Sequence, residues 1–230
     1  MSKIAIMGAM PEEIEPLLKK VENIKKIEYA NNSYYEATYR GKSLVIAYSK
    51  IGKVFSSLTA STLIEKFGCT KLLFSGVAGA INPELKIGDL IIADKLCQHD
   101  LDITIFGHDY GYVPEGAVFV ETDAMLREVA KEVATKSNLS LIEGTIATGD
   151  QFVASSERKA FISNTFKADA LEMEGASVAV VCDALNVPFF VLRAISDTAN
   201  DDAGMDFDEF MVGSAKISAN FILDMVESIE

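Results

Sequence analysis

Short runs of aliphatic and β-branched residues recur along the chain, and between them lie longer stretches in which apolar positions return every three or four residues. The runs Lys3–Met7, Lys42–Tyr48, Lys71–Ser75, Asp89–Ala93, Gly144–Thr148 and Phe189–Ile195 predict strands. The stretches Glu12–Val21, Val54–Phe67, Ala124–Ser137, Gly175–Leu185 and Phe207–Ile229 predict helices. Gly68 suits the position after the second helix, and Asn186 with Pro188 stops the fourth. Strands alternating with amphipathic helices predict an α/β fold around a mixed, largely parallel sheet. No repeat, low-complexity tract or Pro/Gly/Ser-rich linker interrupts the pattern, so residues 1–230 are expected to form a single domain.

A chain of 230 residues, 49% of them hydrophobic, can build a large core, burying roughly 70–75% of its unfolded surface. No apolar stretch approaches the ~18–20 residues of a membrane helix. The apolar patch Ile4–Met10 is too short for a secretory segment and runs straight into Pro11, Glu12 and Glu13, so a soluble cytoplasmic protein is expected. Cys69, Cys97 and Cys182 are odd in number and widely spaced, which suits buried thiols in a reducing compartment. The formal charge of −13 repels phosphate backbones, which excludes nucleic acid as an expected partner. It also disfavours a highly anionic substrate unless the site carries its own cations.

In open α/β sheets ligands sit beyond the carboxyl ends of strands. That criterion selects Gly8–Glu13, Gly76–Gly79, Gly149–Val153, Glu172–Glu174 and Ser196–Asp197. In the first segment small residues allow backbone approach to a ligand, and a carboxylate in the first helical turn is favoured by the helix dipole. Ordinary helix-terminal charge explains one of the two glutamates equally well. Gly76-Val77-Ala78-Gly79 is neither a dinucleotide fingerprint nor a phosphate loop, and reads as a backbone cradle or a tight turn. If extended, Glu172 and Glu174 face the same side, where a vicinal diol would satisfy them. Arg193, in an apolar run, needs a partner such as Glu172 or Glu174. Asp197 fits a general acid or an Asx-turn residue. His99 and His108 are the only histidines; Cys97-Gln98-His99-Asp100 looks rich in ligands, but no second cluster completes a metal site. Neither a metal nor a cofactor is expected, and no G-x-S-x-G elbow supports a serine triad.

Six motifs, GAMPEE, SKIGKV, FSGVAGA, GDQF, EMEG and RAISD, stand in an order that resembles bacterial 5′-methylthioadenosine/S-adenosylhomocysteine nucleosidases of the purine nucleoside phosphorylase superfamily. The resemblance implies a nucleoside phosphorylase-like, three-layer domain with a mixed central β-sheet flanked by helices, working without a cofactor. By that similarity Glu13 activates water, Asp197 protonates adenine at N7 and Ser196 orients Asp197. Met173, Glu174 and Arg193 hold the ribose beside Glu172, Phe152 stacks on the purine, and the Val153 backbone reads its edge. Ala78 and Gly79 line the pocket, and Met10, Ile51 and Phe207 contact the 5′ substituent. Ile103, Phe106 and Pro114 are expected from the neighbouring subunit of a homodimer. The implied substrates are methylthioadenosine, S-adenosylhomocysteine, 5′-deoxyadenosine and, in some members, 6-amino-6-deoxyfutalosine of menaquinone synthesis; the first of these belongs to methionine salvage. Val77 departs from the Ser-Ala-Gly often found there, removing a hydroxyl. Two alternatives remain open: a phosphorylase, for which Lys50 and Lys53 are the nearby cations, and a non-catalytic adenosine-binding module.

The chemistry agrees with the resemblance. Adenine leaves poorly as an anion, so a positioned acid helps as the bond breaks. The ribosyl fragment then approaches an oxocarbenium ion, which nearby negative charge stabilises.

Overall fold

The computed structural model describes residues 2–199 and 203–229. In chain order the elements are β1 (Lys3–Gly8), α1 (Pro11–Leu18), β2 (Glu22–Tyr29), β3 (Asn32–Tyr39), β4 (Lys42–Tyr48), α2 (Lys53–Glu65), β5 (Lys71–Ala80), β6 (Leu90–Gln98), β7 (Phe119–Glu121), α3 (Ala124–Ser137), β8 (Leu141–Thr148), α4 (Ser156–Phe166), β9 (Ala170–Glu172), α5 (Gly175–Ala184), β10 (Phe189–Asp197) and α6 (Ala203–Ser228). A 3-10 turn at Thr104–Phe106 lies between β6 and β7.

Strand alternation builds the layers. On β1, Ala5 and Met7 face one way and Ile4 and Ile6 the other; on β10, Phe189 and Val191 oppose Phe190 and Leu192. One face packs on α2 and α5 through Ala60, Leu63, Val178, Ala179 and Cys182. The other packs on α1, α3 and α6 through Leu17, Leu126, Val133, Phe221 and Ile222. Both faces are thus covered, which explains the continuous apolar runs. Gly68 takes a φ of +69° and turns the chain out of α2 towards β5.

The ten-stranded sheet follows the order β10-β6-β8-β9-β5-β1-β4-β3-β2, with β7 on β6 and a further pairing of β10 with β5. That last pairing closes β5, β10, β6, β8 and β9 into a ring. The sheet is mixed as expected, yet it is not largely parallel. The parallel ladders β1–β4, β1–β5, β5–β10, β6–β8 and β8–β9 are matched by antiparallel ones at β2–β3, β3–β4, β5–β9, β6–β7 and β6–β10. The difference comes from elements that the hydrophobic pattern does not display. β2 is an edge strand with almost every side chain exposed, and β7 and β9 have three residues each. α4 buries only Ile162 and Phe166.

A second correction concerns Gly76–Gly79. It is not a loop beyond a strand but the second half of β5, paired with β10 from Leu72 to Gly79 and with β9 at Gly79 and Ala80. Small residues are required there because side chains from α1 and β10, Glu13 beside Gly76 and Asp197 beside Gly79, occupy the space.

Among the described residues no helix is long and apolar enough to cross a membrane. Cys69, Cys97 and Cys182 are free and buried, and burial pushes each thiol up to about 12. Phe190 is fully buried between the sheet and the α6 layer. Phe190→Ala is expected to cost about 3–5 kcal/mol in urea unfolding; a loss below about 1 kcal/mol would show that this layer does not hold the sheet.

Candidate active site

The carboxyl ends of β1, β5, β9 and β10 surround a cavity of about 140 Å³ lined by Met10, Glu13, Ile51, Val77, Gly79, Phe152, Glu174 and Asp197, among others. Each acidic group reaches it by a local device.

Glu13 sits in the first turn of α1, which Pro11 starts with its fixed φ. Its Oε2 accepts from the N–H groups of Ala9 and Met10, and its Oε1 from Val77 N–H at 3.1 Å. Gly8 and Gly76 leave room: a Cβ on Gly76 would lie 2.9 Å from Oε1. Glu12, its neighbour, is exposed, and only Glu13 of the two lines the cavity. Burial raises the Glu13 pKa, against the lowering effects of Arg193 and the three backbone donors.

Glu172 and Glu174 separate in role. Glu172 ends β9 and is bound by Arg193 Nη2 at 2.7 Å, the N–H groups of Glu174 and Gly175, and the Thr148 hydroxyl. It therefore ties the start of α5 to the sheet, although part of it lines the cavity. Glu174 is not extended (φ −136°, ψ −38°), which corrects the expectation that both carboxylates face one side of a strand. Its Oε1 accepts from Gly52 N–H at 2.8 Å. Burial, followed by the like charge of Glu172, pushes its pKa up to about 8.

Arg193 does not line the cavity, contrary to its expected place on the ribose. It is 1% exposed, lies 4.1 Å over the Phe74 ring and donates to Phe74 O, Leu192 O and Glu172. Of the alternatives left open for its partner, the structure selects Glu172.

Asp197 is aimed by a bulge. The β5–β10 register shifts between Ile195 and Asp197, so that Asp197 pairs with Gly79. A Cβ on Gly79 would lie 2.6 Å from Asp197 Oδ1. Ser196 Oγ donates to Oδ2 at 3.0 Å, and Ala199 N–H donates to Oδ1 at 2.9 Å, an Asx-turn contact. The Asx-turn and the cavity-lining position coexist.

The remaining cavity residues are mostly apolar. Phe152, 50% exposed, meets Phe207 edge-on with centroids 5.7 Å apart at the mouth. Ala78, Val153, Met173 and Ser196 line the interior. Ile103, Phe106 and Pro114 lie outside this chain's cavity, just before, on and after the 3-10 turn respectively. Ala9, Gln151 and Leu171 also line it, as does Val77, whose amide rather than its side chain serves Glu13. Gly52, at the exit of β4, contributes a backbone N–H that no residue type signals, although it stands in the SKIGKV motif. Among the described residues, no lysine, arginine or histidine lines the cavity and no cluster of metal-ligating side chains occurs. Lys53 is engaged by Asp100 and Gln98, and Lys50 by Asn31 O.

A two-faced mixed sheet closed at one end, with carboxylates gathered at its strand termini, defines a nucleoside phosphorylase-like protein. The chain belongs to the phosphorylase superfamily, whose family model matches residues 3–227. It is 60% identical, over the whole of both chains, to the aminodeoxyfutalosine nucleosidase of Campylobacter jejuni subsp. jejuni serotype O:2. It is 36% identical to the 5′-methylthioadenosine/S-adenosylhomocysteine nucleosidase of Bacillus licheniformis, over 99% of each chain. The crystal structure of a Campylobacter jejuni 5′-methylthioadenosine/S-adenosyl homocysteine nucleosidase superimposes with a TM-score of 0.95 at 59% identity, covering 100% of both chains.

The raised pKa of Glu174 has a sign that can be tested. The folded state holds this proton more tightly than the unfolded chain, so the associated stability is present below pH 4.5 and is lost as pH rises towards about 8. The ligand-free protein should melt at progressively lower temperature across that window, and Glu174→Gln should flatten the fall. Parallel melting curves for the two proteins would remove Glu174 as its source.

Proposed function

We propose that the chain hydrolyses the N-glycosidic bond of 5′-substituted adenine nucleosides, with Glu13 activating water and Asp197 protonating N7 of the departing adenine. The observation that carries this reading is the convergence of Glu13, Glu174 and Asp197 on one cavity that no cationic side chain lines among the described residues. A carboxylate offers about four acceptor positions, and the backbone donors named above use two on Oε2 and one on Oε1. Oε1 therefore retains an acceptor position for a water O–H. The raised pKa makes Glu13 a stronger base than an ordinary carboxylate.

Glu174 receives the ribose hydroxyls with Met173 beside it. Phe152 stacks on the purine, Val153 presents backbone to its edge, and Ser196 holds Asp197. Met10, Ile51 and Phe207 give the 5′ end an apolar lining suited to a thioether. Phosphorolysis is disfavoured because a phosphate would meet Glu13 and Glu174 without a compensating cation. The Campylobacter proteins compared above bear both the aminodeoxyfutalosine and the methylthioadenosine/S-adenosylhomocysteine names at 59–60% identity. That supports 6-amino-6-deoxyfutalosine and methylthioadenosine as substrates of one site. Phosphate-independent release of adenine from each is the direct test; a strict requirement for phosphate would overturn hydrolysis.

A homodimer completes the 5′ end in this reading, with Ile103, Phe106 and Pro114 supplied by the second subunit. Its support is apolar exposure: Ile105 and Phe106 are 88% and 77% exposed, and Val54 on α2 is 77% exposed. Sedimentation at assay concentration should give a dimer; a fully active monomer would reject it.

Two substitutions separate chemistry from binding. Glu13→Gln cannot take the water's proton and should lower kcat by at least ~10²-fold with nucleoside binding retained. Asp197→Asn should lose at least ~10²-fold on methylthioadenosine but much less on a p-nitrophenyl riboside, whose leaving group needs no acid. Equal defects on both substrates would reassign Asp197 to site architecture.

A further inference from the structure

Gln98-His99-Asp100, at the end of β6, has no part in the chemistry above, yet it touches two segments beside the cavity, the start of α2 at Lys53 and the loop of residues 149–155 that carries Phe152 and Val153. Asp100 Oδ1 accepts from Lys53 Nζ at 2.6 Å, and its Oδ2 from Asp150 N–H at 2.8 Å. Asp150 Oδ1 in turn accepts from Lys53 N–H at 2.8 Å. His99 is fully buried, and its N–H donates to Thr148 O at 2.8 Å. Its ring lies flush against Gly149, where any Cβ would collide with the imidazole. Arg158, on α4, donates through Nη2 to His99 Nδ1 at 3.1 Å and to His99 O at 2.8 Å. Residues 149–155, which carry Phe152 and Val153, therefore start against the imidazole and end at a helix pinned to it.

We propose that His99 is a positioning residue for the purine-contacting loop, holding its first residue by packing and its far end through Arg158. An arginine only donates, so Nδ1 must be an acceptor and the neutral ring carries its proton on Nε2. Burial lowers the His99 pKa, opposed by Asp100 and Glu172 and reinforced by Arg158, which keeps the ring in that form. Nε2 has no hydrogen-bond partner among the described residues. Retaining a buried, half-satisfied imidazole costs stability, and an aliphatic side chain of similar size would fill the space without that cost. What a leucine side chain cannot do is accept from Arg158, which would keep only its bond to the backbone carbonyl of residue 99.

This inference rests on the assignment of Phe152 and Val153 to the base, and its test reads base binding apart from turnover. Calorimetric titration with free adenine and, separately, with 5-methylthioribose would be carried out on the wild type, His99→Leu and His99→Asn. Asn keeps an acceptor near the Nδ1 position. His99→Leu should weaken adenine binding by roughly tenfold, about 1.4 kcal/mol, and leave methylthioribose binding unchanged. His99→Asn should restore most of the adenine affinity. Unchanged adenine affinity in His99→Leu, or equal weakening for both ligands, would overturn the proposal. If His99→Leu does not fold, Arg158→Met removes the ring contact from the half-buried partner, together with its bond to His99 O, and the same two outcomes decide. Failure of the wild type to release adenine from methylthioadenosine would instead count against the proposed hydrolysis, since the titrations need no turnover.

Discussion

Four carboxylates, Glu13, Glu172, Glu174 and Asp197, are almost completely buried around one cavity of a strongly acidic chain. Removing such charges from water is costly unless each is hydrogen-bonded or neutralised. One cation, Arg193, is spent on Glu172. The other three take backbone donors among their partners: Ala9, Met10 and Val77 for Glu13, Gly52 for Glu174, and Ala199 for Asp197, which the Ser196 hydroxyl also reaches. The strand ends and helix starts are thus arranged as much to supply N–H groups as to build a core.

This division leaves different groups with different chemical freedom. Glu172 receives four donors, one of them the Arg193 guanidinium, and so acts as a structural tie between β9, α5 and β10. Glu13 and Glu174 are less fully compensated, and burial lifts both above ordinary carboxylates. Carboxylates that are incompletely satisfied when the site is empty are suited to meet hydroxyl donors and water. Glycine makes the arrangement possible, because Gly76 and Gly79 let Glu13 and Asp197 lie directly against the β5 backbone.

The sequence displays the parts of the fold that alternate strongly and hides the parts stabilised by neighbours. β1, β4, β10 and α3 follow from periodicity because both faces of the sheet, or one face of the helix, are apolar. The β2–β3 hairpin does not, since Lys25, Lys26 and Glu28 face solvent. The site residues were legible chiefly through the ordered motifs, as local spacing left Glu13 and Asp197 with ordinary structural explanations. Arg193 was misplaced for a physical reason: its motif neighbours reach the cavity, while its own side chain is drawn behind it by Glu172 and the Phe74 ring. The Gly52 donor was invisible because a backbone N–H carries no residue-type signal.

The closed strand ring also bears on how the protein is made. β5 is complete by residue 80, but one of its edges is taken by β10, which begins at Phe189. A nascent chain therefore carries a long, apolar, unpaired strand edge until more than a hundred further residues have been added. Such non-local closure is slow and leaves a template for association with other chains. Glu13 and Asp197 line one cavity only when that edge is sealed, so a half-made molecule has an incomplete cavity as well as an edge prone to aggregate, and the last strand added ends both conditions together.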